Sequence, residues 1–202
     1  MIKLEHIKKS FDKKIIYKDY SYEYLDNKIY CLVGNSGCGK TTLLRMISGL
    51  EKVDSGKIYL DEQVISKPTK EILMMHQHYT NFLWKTCLKN VLFPIEINRK
   101  STVEEKDYAL RLLDLVGLKE YKDNFPSELS GGMNQRLAFA RSLIKPSKVL
   151  LMDEPFSALD TSNKIKMERL LQQVQNITKN TVIMVTHDDA EAKRVANVIV
   201  NF

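Results

Sequence analysis

The chain has 202 residues, of which 44% are hydrophobic and 28% are charged, a composition typical of a globular protein with a substantial core. Its net charge of +6 is spread along the sequence, which favours a solvated surface and gives only weak support for attraction to an anionic membrane or to nucleic acid. We expect no nucleic-acid partner. Three cysteines at unrelated spacings argue against a disulfide framework. No apolar run reaches the length of a membrane span and the first residues lack a signal-peptide core, so we expect a cytosolic protein.

The amino-terminal segments have the pattern of strands and lead to a glycine-rich loop. An apolar run at 29–33 predicts a buried strand, and the segment 42–47 after the loop predicts a helix. The sequence between them matches G-x-x-x-x-G-K followed by Ser or Thr. The residues of this motif and its helix start are Gly34, Asn35, Ser36, Gly37, Cys38, Gly39, Lys40, Thr41 and Thr42.

This strand–loop–helix arrangement predicts a phosphate-binding loop. Glycines allow the backbone to wrap tightly, so that successive N–H groups and the helix N-terminus face one anion. Lys40 would reach the β- and γ-phosphates, and the Thr41 hydroxyl would ligate Mg²⁺. The alternative is a chance glycine-rich turn, which the flanking strand and helix argue against. The loop therefore predicts binding of a nucleoside triphosphate.

The second half of the chain changes from strand to helix and back. Residues from about 79 to 130 predict a mainly helical insertion, with capping-box spacing from Thr102 to Glu105 and a helix stop at Gly117. Strand patterns return at 149–152, 181–185 and 197–200. Short apolar strands separated by helices predict an α/β fold with a parallel sheet covered on both faces.

Two adjacent carboxylates follow the apolar strand at 149–152. Side chains alternate along an extended chain, so Asp153 and Glu154 point in different directions and can take different roles. Asp153 would hold Mg²⁺, and Glu154 would orient and deprotonate the attacking water. The structural alternative is that these acids only cap the next helix.

A second glycine-containing helix start lies at 129–136. Ser130 is a good N-cap residue, and Gly131 and Gly132 leave backbone N–H groups able to face an anion. Taken alone, this is an ordinary helix start.

Together, these motifs resemble the nucleotide-binding subunit of ATP-binding cassette (ABC) transporters over essentially the whole chain. Residues 129–133 resemble the family's signature loop, with Met133 where glutamine is commonest. The remaining matches are Ser157 to Asp160 with the D-loop, Gln77 with the Q-loop, His187 with the switch histidine and Phe11 with the adenine-stacking aromatic. Phe11 packing on the sheet is the alternative at that position.

The resemblance implies a P-loop NTPase core with a parallel sheet, an antiparallel β subdomain and a helical, signature-bearing subdomain. We expect a single domain, with the core at 1–78 and 131–202 and the helical subdomain at 79–130. Nothing in the sequence after the last strand predicts a regulatory domain.

The resemblance also implies a site shared by two copies paired head to tail. ATP on Lys40 and Thr41 of one copy would be covered by residues 130–132 of the other. Gln77 would help to place Mg²⁺ and water, His187 would contact the γ-phosphate, and Asp160 would cross the dimer interface.

The predicted function is ATP hydrolysis that drives membrane-spanning permease subunits, with import favoured over export. A substrate-binding protein outside the membrane is a further candidate component, and the subunit would sit on the inner face of the membrane. The alternatives are a soluble ABC ATPase not coupled to transport and a nucleotide-gated module without turnover.

The segment Asn81 to Trp84 resembles the Leu-Pro-Trp run of nitrate/sulfonate/taurine-type importer ATPases, without the proline. Two interpretations of Trp84 stay open, namely core of the helical subdomain and docking of the membrane subunits. His76 and His78 flank Gln77, but no cysteine or acid stands at ligand spacing, so we expect no metal site there.

Overall fold

The computed structural model describes residues 1–12, 14–76 and 81–202. Its strands are β1 (Ile2–Phe11), β2 (Lys14–Tyr24), β3 (Ile29–Val33), β4 (Ser55–Leu60), β5 (Gln63–Val64), β6 (Ile72–Met75), β7 (Val149–Asp153), β8 (Thr181–Val185) and β9 (Val198–Asn201). Its α-helices are α1 (Lys40–Ile47), α2 (Cys87–Glu96), α3 (Val103–Leu115), α4 (Gly131–Leu143), α5 (Thr161–Thr178) and α6 (Asp189–Val195). Short 3₁₀ helices lie at Lys119–Tyr121 and Pro126–Glu128.

The chain divides into two compact units. Unit 1 comprises Met1–Met74, Ser147–Glu154 and Gln172–Phe202, and unit 2 comprises Met75–Pro146 and Pro155–Leu171. The predicted helical insertion, 79–130, lies inside unit 2. That unit extends further along the chain than the insertion, because α4 packs against α2 and α3.

Unit 1 contains two sheets. The first has the strand order β6-β7-β8-β3-β9, in which β7, β8, β3 and β9 run parallel. Every residue of β3, β7 and β8 is buried, as expected for strands covered on both faces. The second sheet is antiparallel, with the order β2-β1-β4-β5. The predicted α/β fold with a parallel sheet and an antiparallel β subdomain is confirmed.

One hydrophobic core holds both sheets of unit 1 to helix α1. Ile2 and Leu4 of β1 join Leu43 of α1, Leu32 of β3 and Ile183 of β8, and each is at most 1% exposed. Because both sheets and α1 share this core, the ends of the parallel strands are fixed relative to the glycine-rich loop.

Unit 2 contains helices whose ends follow the predicted signals. Thr102 and Glu105 form a reciprocal capping box, in which the Thr102 side chain accepts from the Glu105 amide and the Glu105 carboxylate accepts from the Thr102 amide. Helix α3 ends before Gly117, which has a φ of 67°. The predicted start and stop of this helix are therefore confirmed.

Within the described ranges, none of the helices has both the length and the apolar character required to cross a bilayer.

Two isoleucines of unit 1 offer a matched test of its core. Ile183 is fully buried in β8, whereas Ile177 in α5 is 81% exposed. We expect Ile183→Ala to lower the free energy of unfolding by about 2–5 kcal/mol, because it removes buried methyl groups and leaves a cavity. Ile177→Ala should change it by less than about 0.5 kcal/mol. Urea denaturation measures both, and equal losses would contradict the assigned core.

Candidate functional site

The glycine-rich loop connects buried strand β3 to helix α1. Gly39 is the N-cap residue of α1, with φ 111° in the left-handed region that favours glycine. Its carbonyl accepts hydrogen bonds from the Leu43 amide at 2.8 Å and from the Tyr17 hydroxyl at 3.1 Å. Burial raises the pKa of Tyr17, so its hydroxyl stays protonated and can donate. The contact of Tyr17 with the loop was not predicted, because the only signal at this position was an aromatic residue in a strand.

The Lys40 side chain is folded against the loop that carries it. Lys40 is 7% exposed, and its Nζ donates to the carbonyls of Gly34 and Asn35, each at 2.8 Å. The Sγ of Cys38 lies 3.5 Å from the same nitrogen. The ammonium group therefore stands at the centre of the loop, while Asn35 and Ser36 are exposed to solvent. An anion entering this loop would meet a positive charge already in place.

Thr41 and Asp153, the predicted Mg²⁺ ligands, lie next to each other. Thr41 is in the first turn of α1, and Asp153 is the last residue of β7 and 3% exposed. The Thr41 Oγ1 donates to the Asp153 Oδ1 at 3.1 Å. A hydroxyl and a carboxylate are the oxygen donors that a hard divalent cation prefers, so the pair fits Mg²⁺.

Glu154 and His187 also come together, beyond the ends of two adjacent strands. The Glu154 amide donates to the Val185 carbonyl at 3.0 Å, which continues the β7–β8 pairing by one residue. The carboxylate Oε1 lies 3.4 Å from the His187 Nδ1. Glu154 has φ 47°, a costly conformation for a residue that is not glycine. Its side chain is 22% exposed and that of His187 is 62% exposed, so both are accessible to solutes.

A hydrogen-bonded turn that was not predicted from the sequence holds the backbone on either side of His187. Thr186 is buried, and its hydroxyl donates to the Glu191 Oε2 and accepts from the Asp188 amide, both at 3.1 Å. Asp188 is the N-cap of α6 and accepts from the Ala190 and Glu191 amides. The spacing of Asp188 and Glu191 is a capping signal that could have revealed this turn.

Unit 2 carries the second predicted anion-binding segment. Ser130 is the N-cap of α4, and its Oγ accepts from the Met133 amide at 3.3 Å. A Cβ at Gly132 would lie 3.3 Å from the Ala158 carbonyl oxygen, so the glycine allows close approach to the segment 157–160. Gly131, the remaining residue of this segment, is the first residue of α4.

Gln135 joins the signature helix to the segment predicted as the D-loop. Gln135 is 1% exposed, and its Oε1 accepts from the Ala158 amide at 3.0 Å. Further along, Asp160 accepts from the Asn163 amide at 3.0 Å, and this bond holds the pKa of Asp160 below its usual range. Gln135 lies in the predicted motif at 129–136, but no role was predicted for it.

The remaining predicted site residues have separate outcomes. Phe11 is 43% exposed near the end of β1, with the Lys9 Nζ 4.7 Å from its ring centroid, so its stacking role stays a prediction. Gln77 and His78 lie outside the described residues. Trp84 is 74% exposed, which excludes the interpretation of this side chain as core of the helical subdomain.

The sequence profile of the family described as ABC transporter matches residues 17–157. The chain belongs to the ABC transporter family. A sulfate/thiosulfate import ATP-binding protein of Acinetobacter baylyi is 40% identical over 98% of this chain and 58% of its own length. A nitrate import ATP-binding protein of Synechocystis sp. is 46% identical over 80% of this chain and 61% of its own length.

A third relative, a spermidine/putrescine import ATP-binding protein of Protochlamydia amoebophila, is 38% identical over 97% of this chain and 53% of its own length. The chain thus spans between 53% and 61% of the length of these three curated relatives.

Two solved structures also match this ABC protein across 100% of its length, each with a TM-score of 0.89 and 27% identity, and with 94% of the solved chain covered. One is the dimeric ATP-binding cassette MJ0796 in a post-hydrolysis state with ADP and Pi, and the other is a dimeric structure of the same cassette. The predicted family and cassette fold are confirmed.

Two glycines of the loop should differ in their tolerance of a methyl group. Gly37 and Gly39 both have positive φ, at 78° and 111°. A Cβ at Gly37 would have no atom within 4 Å, whereas one at Gly39 would lie 2.6 Å from the Ile16 Cγ2. We expect Gly37→Ala to cost about 1 kcal/mol of backbone strain. Gly39→Ala should cost ~1–3 kcal/mol more, because of overpacking.

Urea denaturation of the two variants measures this difference. A Gly39→Ala protein as stable as the Gly37→Ala protein would contradict the contact of the loop with β2.

Proposed function

We propose that this chain is the ATP-hydrolysing subunit of an ABC importer. The observation that carries the proposal is the convergence of three loops in unit 1, each at the carboxyl end of one of the neighbouring parallel strands β7, β8 and β3. These loops bring Lys40, the Thr41–Asp153 pair and the Glu154–His187 pair to one edge of the sheet. Ligands of open α/β sheets bind at this edge.

ATP would bind at the glycine-rich loop. Its phosphates would accept from the backbone amides of residues 34–42, and the Lys40 ammonium would exchange its carbonyl partners for phosphate oxygens. Thr41 and Asp153 would hold Mg²⁺, with Gln77 as a further ligand. The cation would neutralise part of the charge on the phosphates. Phe11 would stack on the adenine.

Hydrolysis would depend on the carboxylate of Glu154. It would accept a proton from a water molecule whose oxygen attacks the γ-phosphorus, and the bond from that phosphorus to the β,γ-bridging oxygen would break. The products are ADP and inorganic phosphate. His187 lies 3.4 Å from this carboxylate and would donate a hydrogen bond to the γ-phosphate. Gln77 would help to orient the water.

A second copy would complete the site. The helix start at residues 130–132 is a second anion-binding element, and a single nucleotide on the loop of unit 1 has no need of two. In a head-to-tail pair, each copy would cover the ATP of the other, with Asp160 at the interface. The dimeric state of the MJ0796 cassette supports this arrangement.

The membrane partner would dock on the exposed apolar side chains of unit 2. Leu83 and Trp84 are 62% and 74% exposed and lie beside the half-buried ring of Phe82. Import is the direction supported by the names of the sulfate, nitrate and spermidine relatives. A permease would therefore hold the chain at the membrane, and an external binding protein would deliver cargo.

Replacing the proposed base separates binding from turnover. We expect Glu154→Gln to lower phosphate release by about 10²–10⁴-fold, because the amide cannot accept the proton of water. The affinity for ATP should stay within about twofold, since Glu154 does not hold the phosphates. Phosphate release and equilibrium binding of ATP measure the two effects. Wild-type turnover in this variant would refute the role of Glu154, and no turnover in the unmodified protein would favour a nucleotide-gated module.

Mixing two inactive variants tests the shared site. Lys40→Ala removes the ammonium group that would bind the phosphates, and Ser130→Arg blocks the helix start at residues 130–132. Each homodimer therefore has two defective sites. A mixed dimer keeps one intact site, formed by Lys40 of one copy and Ser130 of the other. An equal mixture should recover about a quarter of wild-type phosphate release, since half of the dimers carry one intact site of two. Recovery of no activity would argue against a site built from two copies.

A further inference from the structure

Three asparagines of unit 2 form two sets of hydrogen bonds, which are joined through the backbone from Asn81 to Phe82. Asn90 in α2 is fully buried, Asn81 is 9% exposed, and Asn134 lies in α4. Buried side-chain amides usually have hydrogen-bond partners, so the partners of these asparagines show which backbone segments they hold in place.

Asn90 holds the backbone of the segment that carries Trp84. Its Oδ1 accepts from the Phe82 amide at 2.8 Å, and its Nδ2 donates to the carbonyls of Phe82 and Lys85 at 3.1 and 2.9 Å. One buried side chain therefore binds the backbone on both sides of Leu83 and Trp84.

Asn81 connects this segment to the signature helix. Its Nδ2 donates to the backbone carbonyl and to the Oδ1 of Asn134, at 2.8 and 2.9 Å. Both partners are acceptors, so the orientation of the Asn81 amide is fixed, because exchanging its nitrogen and oxygen would place oxygen against oxygen.

Asn134 closes the loop that precedes the signature helix. Its Nδ2 donates to the carbonyl of Pro126 at 2.8 Å and to those of Leu129 and Ser130 at 3.3 Å. Its backbone amide donates to the Ser130 carbonyl at 2.9 Å. The position of Ser130 is thus tied, through two side-chain amides, to the backbone beside Trp84.

A cluster of exposed and half-buried aromatic rings lies at the end of this network that is distant from Ser130. The ring of Phe82 lies 4.0 Å from that of Phe93 and 5.6 Å from that of Trp84, measured between centroids. The Arg141 guanidinium stands 5.2 Å from the Phe82 centroid. These contacts pack the Phe82 ring against Trp84, Phe93 and Arg141. Because Asn81 is the residue next to Phe82, a displacement of Phe82 would move Asn81 as well.

We propose that Asn81 and Asn134 are positioning residues that couple the Phe82–Trp84 segment to the Ser130 loop. The inference rests on the proposed function, in which Ser130 covers the ATP of a second copy. Moving the segment without the loop would break the Asn81–Asn134 bonds and leave buried amide atoms without partners. Coupling between two sites is reciprocal, so seating ATP against Ser130 must also change the surroundings of Trp84.

Trp84 is the single tryptophan of the chain, so its fluorescence reports on this segment without a label. The parent protein for the test is Glu154→Gln, which would retain bound ATP. We expect Mg-ATP to produce both dimers, measured by analytical ultracentrifugation, and a change in Trp84 emission. Asn81→Leu in this parent should keep ATP affinity and dimer formation but reduce the emission change about fivefold or more.

A matched control is Asn124→Leu, which removes another asparagine of unit 2, bonded to the Glu128 carboxylate at 3.1 Å, and should keep the full emission change. If Asn81→Leu does not fold, Asn81→Ser, which is too short to reach Asn134, replaces it. With Glu154 unmodified, Asn81→Leu should lower kcat for phosphate release and leave KM for ATP within about twofold.

A full emission change in the Asn81 variants would overturn the inference. ATP-driven dimers of the parent without any emission change would overturn it too, while leaving the proposed function intact. Failure of the parent to bind ATP or to dimerise would instead refute the proposed function, and the inference with it.

Discussion

The register of three parallel strands is the constraint on which unit 1 depends. Val185 of β8 is paired on one side with Leu32 of β3 and on the other with Asp153 of β7. The same register lets the Glu154 amide bond to Val185 and the Thr186 amide bond to Leu32. A shift of one residue would turn Asp153 to the opposite face of the sheet. The complete burial of these strands makes such a shift costly. The core therefore fixes the positions of Asp153 and Glu154 at the edge of the sheet.

Electrostatics organises the loop that this register supports. The Lys40 ammonium is buried against carbonyl oxygens, and the buried carboxylate of Asp153 accepts from a hydroxyl. The Lys40 ammonium is therefore stabilised by the dipoles of these carbonyl groups and stays available to a charged ligand.

The fold and the local motifs could be predicted from the sequence because both depend on short residue patterns. The burial of β3 and β7, the capping box at Thr102 and the glycine-rich loop each depend on residues within a few positions of one another. Partners distant in sequence were missed where no recognised function connected them. The Tyr17 hydroxyl under Gly39, the Gln135 amide on Ala158 and the Asn81–Asn134 bonds join segments that no period or spacing connects. Trp84 stayed ambiguous because an aromatic residue has the same pattern in a core and on a surface.

The backbone conformation of Glu154 has a consequence for the evolution of this position. A residue with a Cβ at φ 47° stores conformational energy that glycine would release, yet glycine has no carboxylate. Selection for a more stable fold would therefore favour glycine at this position, whereas selection for a carboxylate favours glutamate. Under the proposed role of Glu154, a cassette that had lost hydrolysis would no longer need this carboxylate, so glycine could replace it at this strand end.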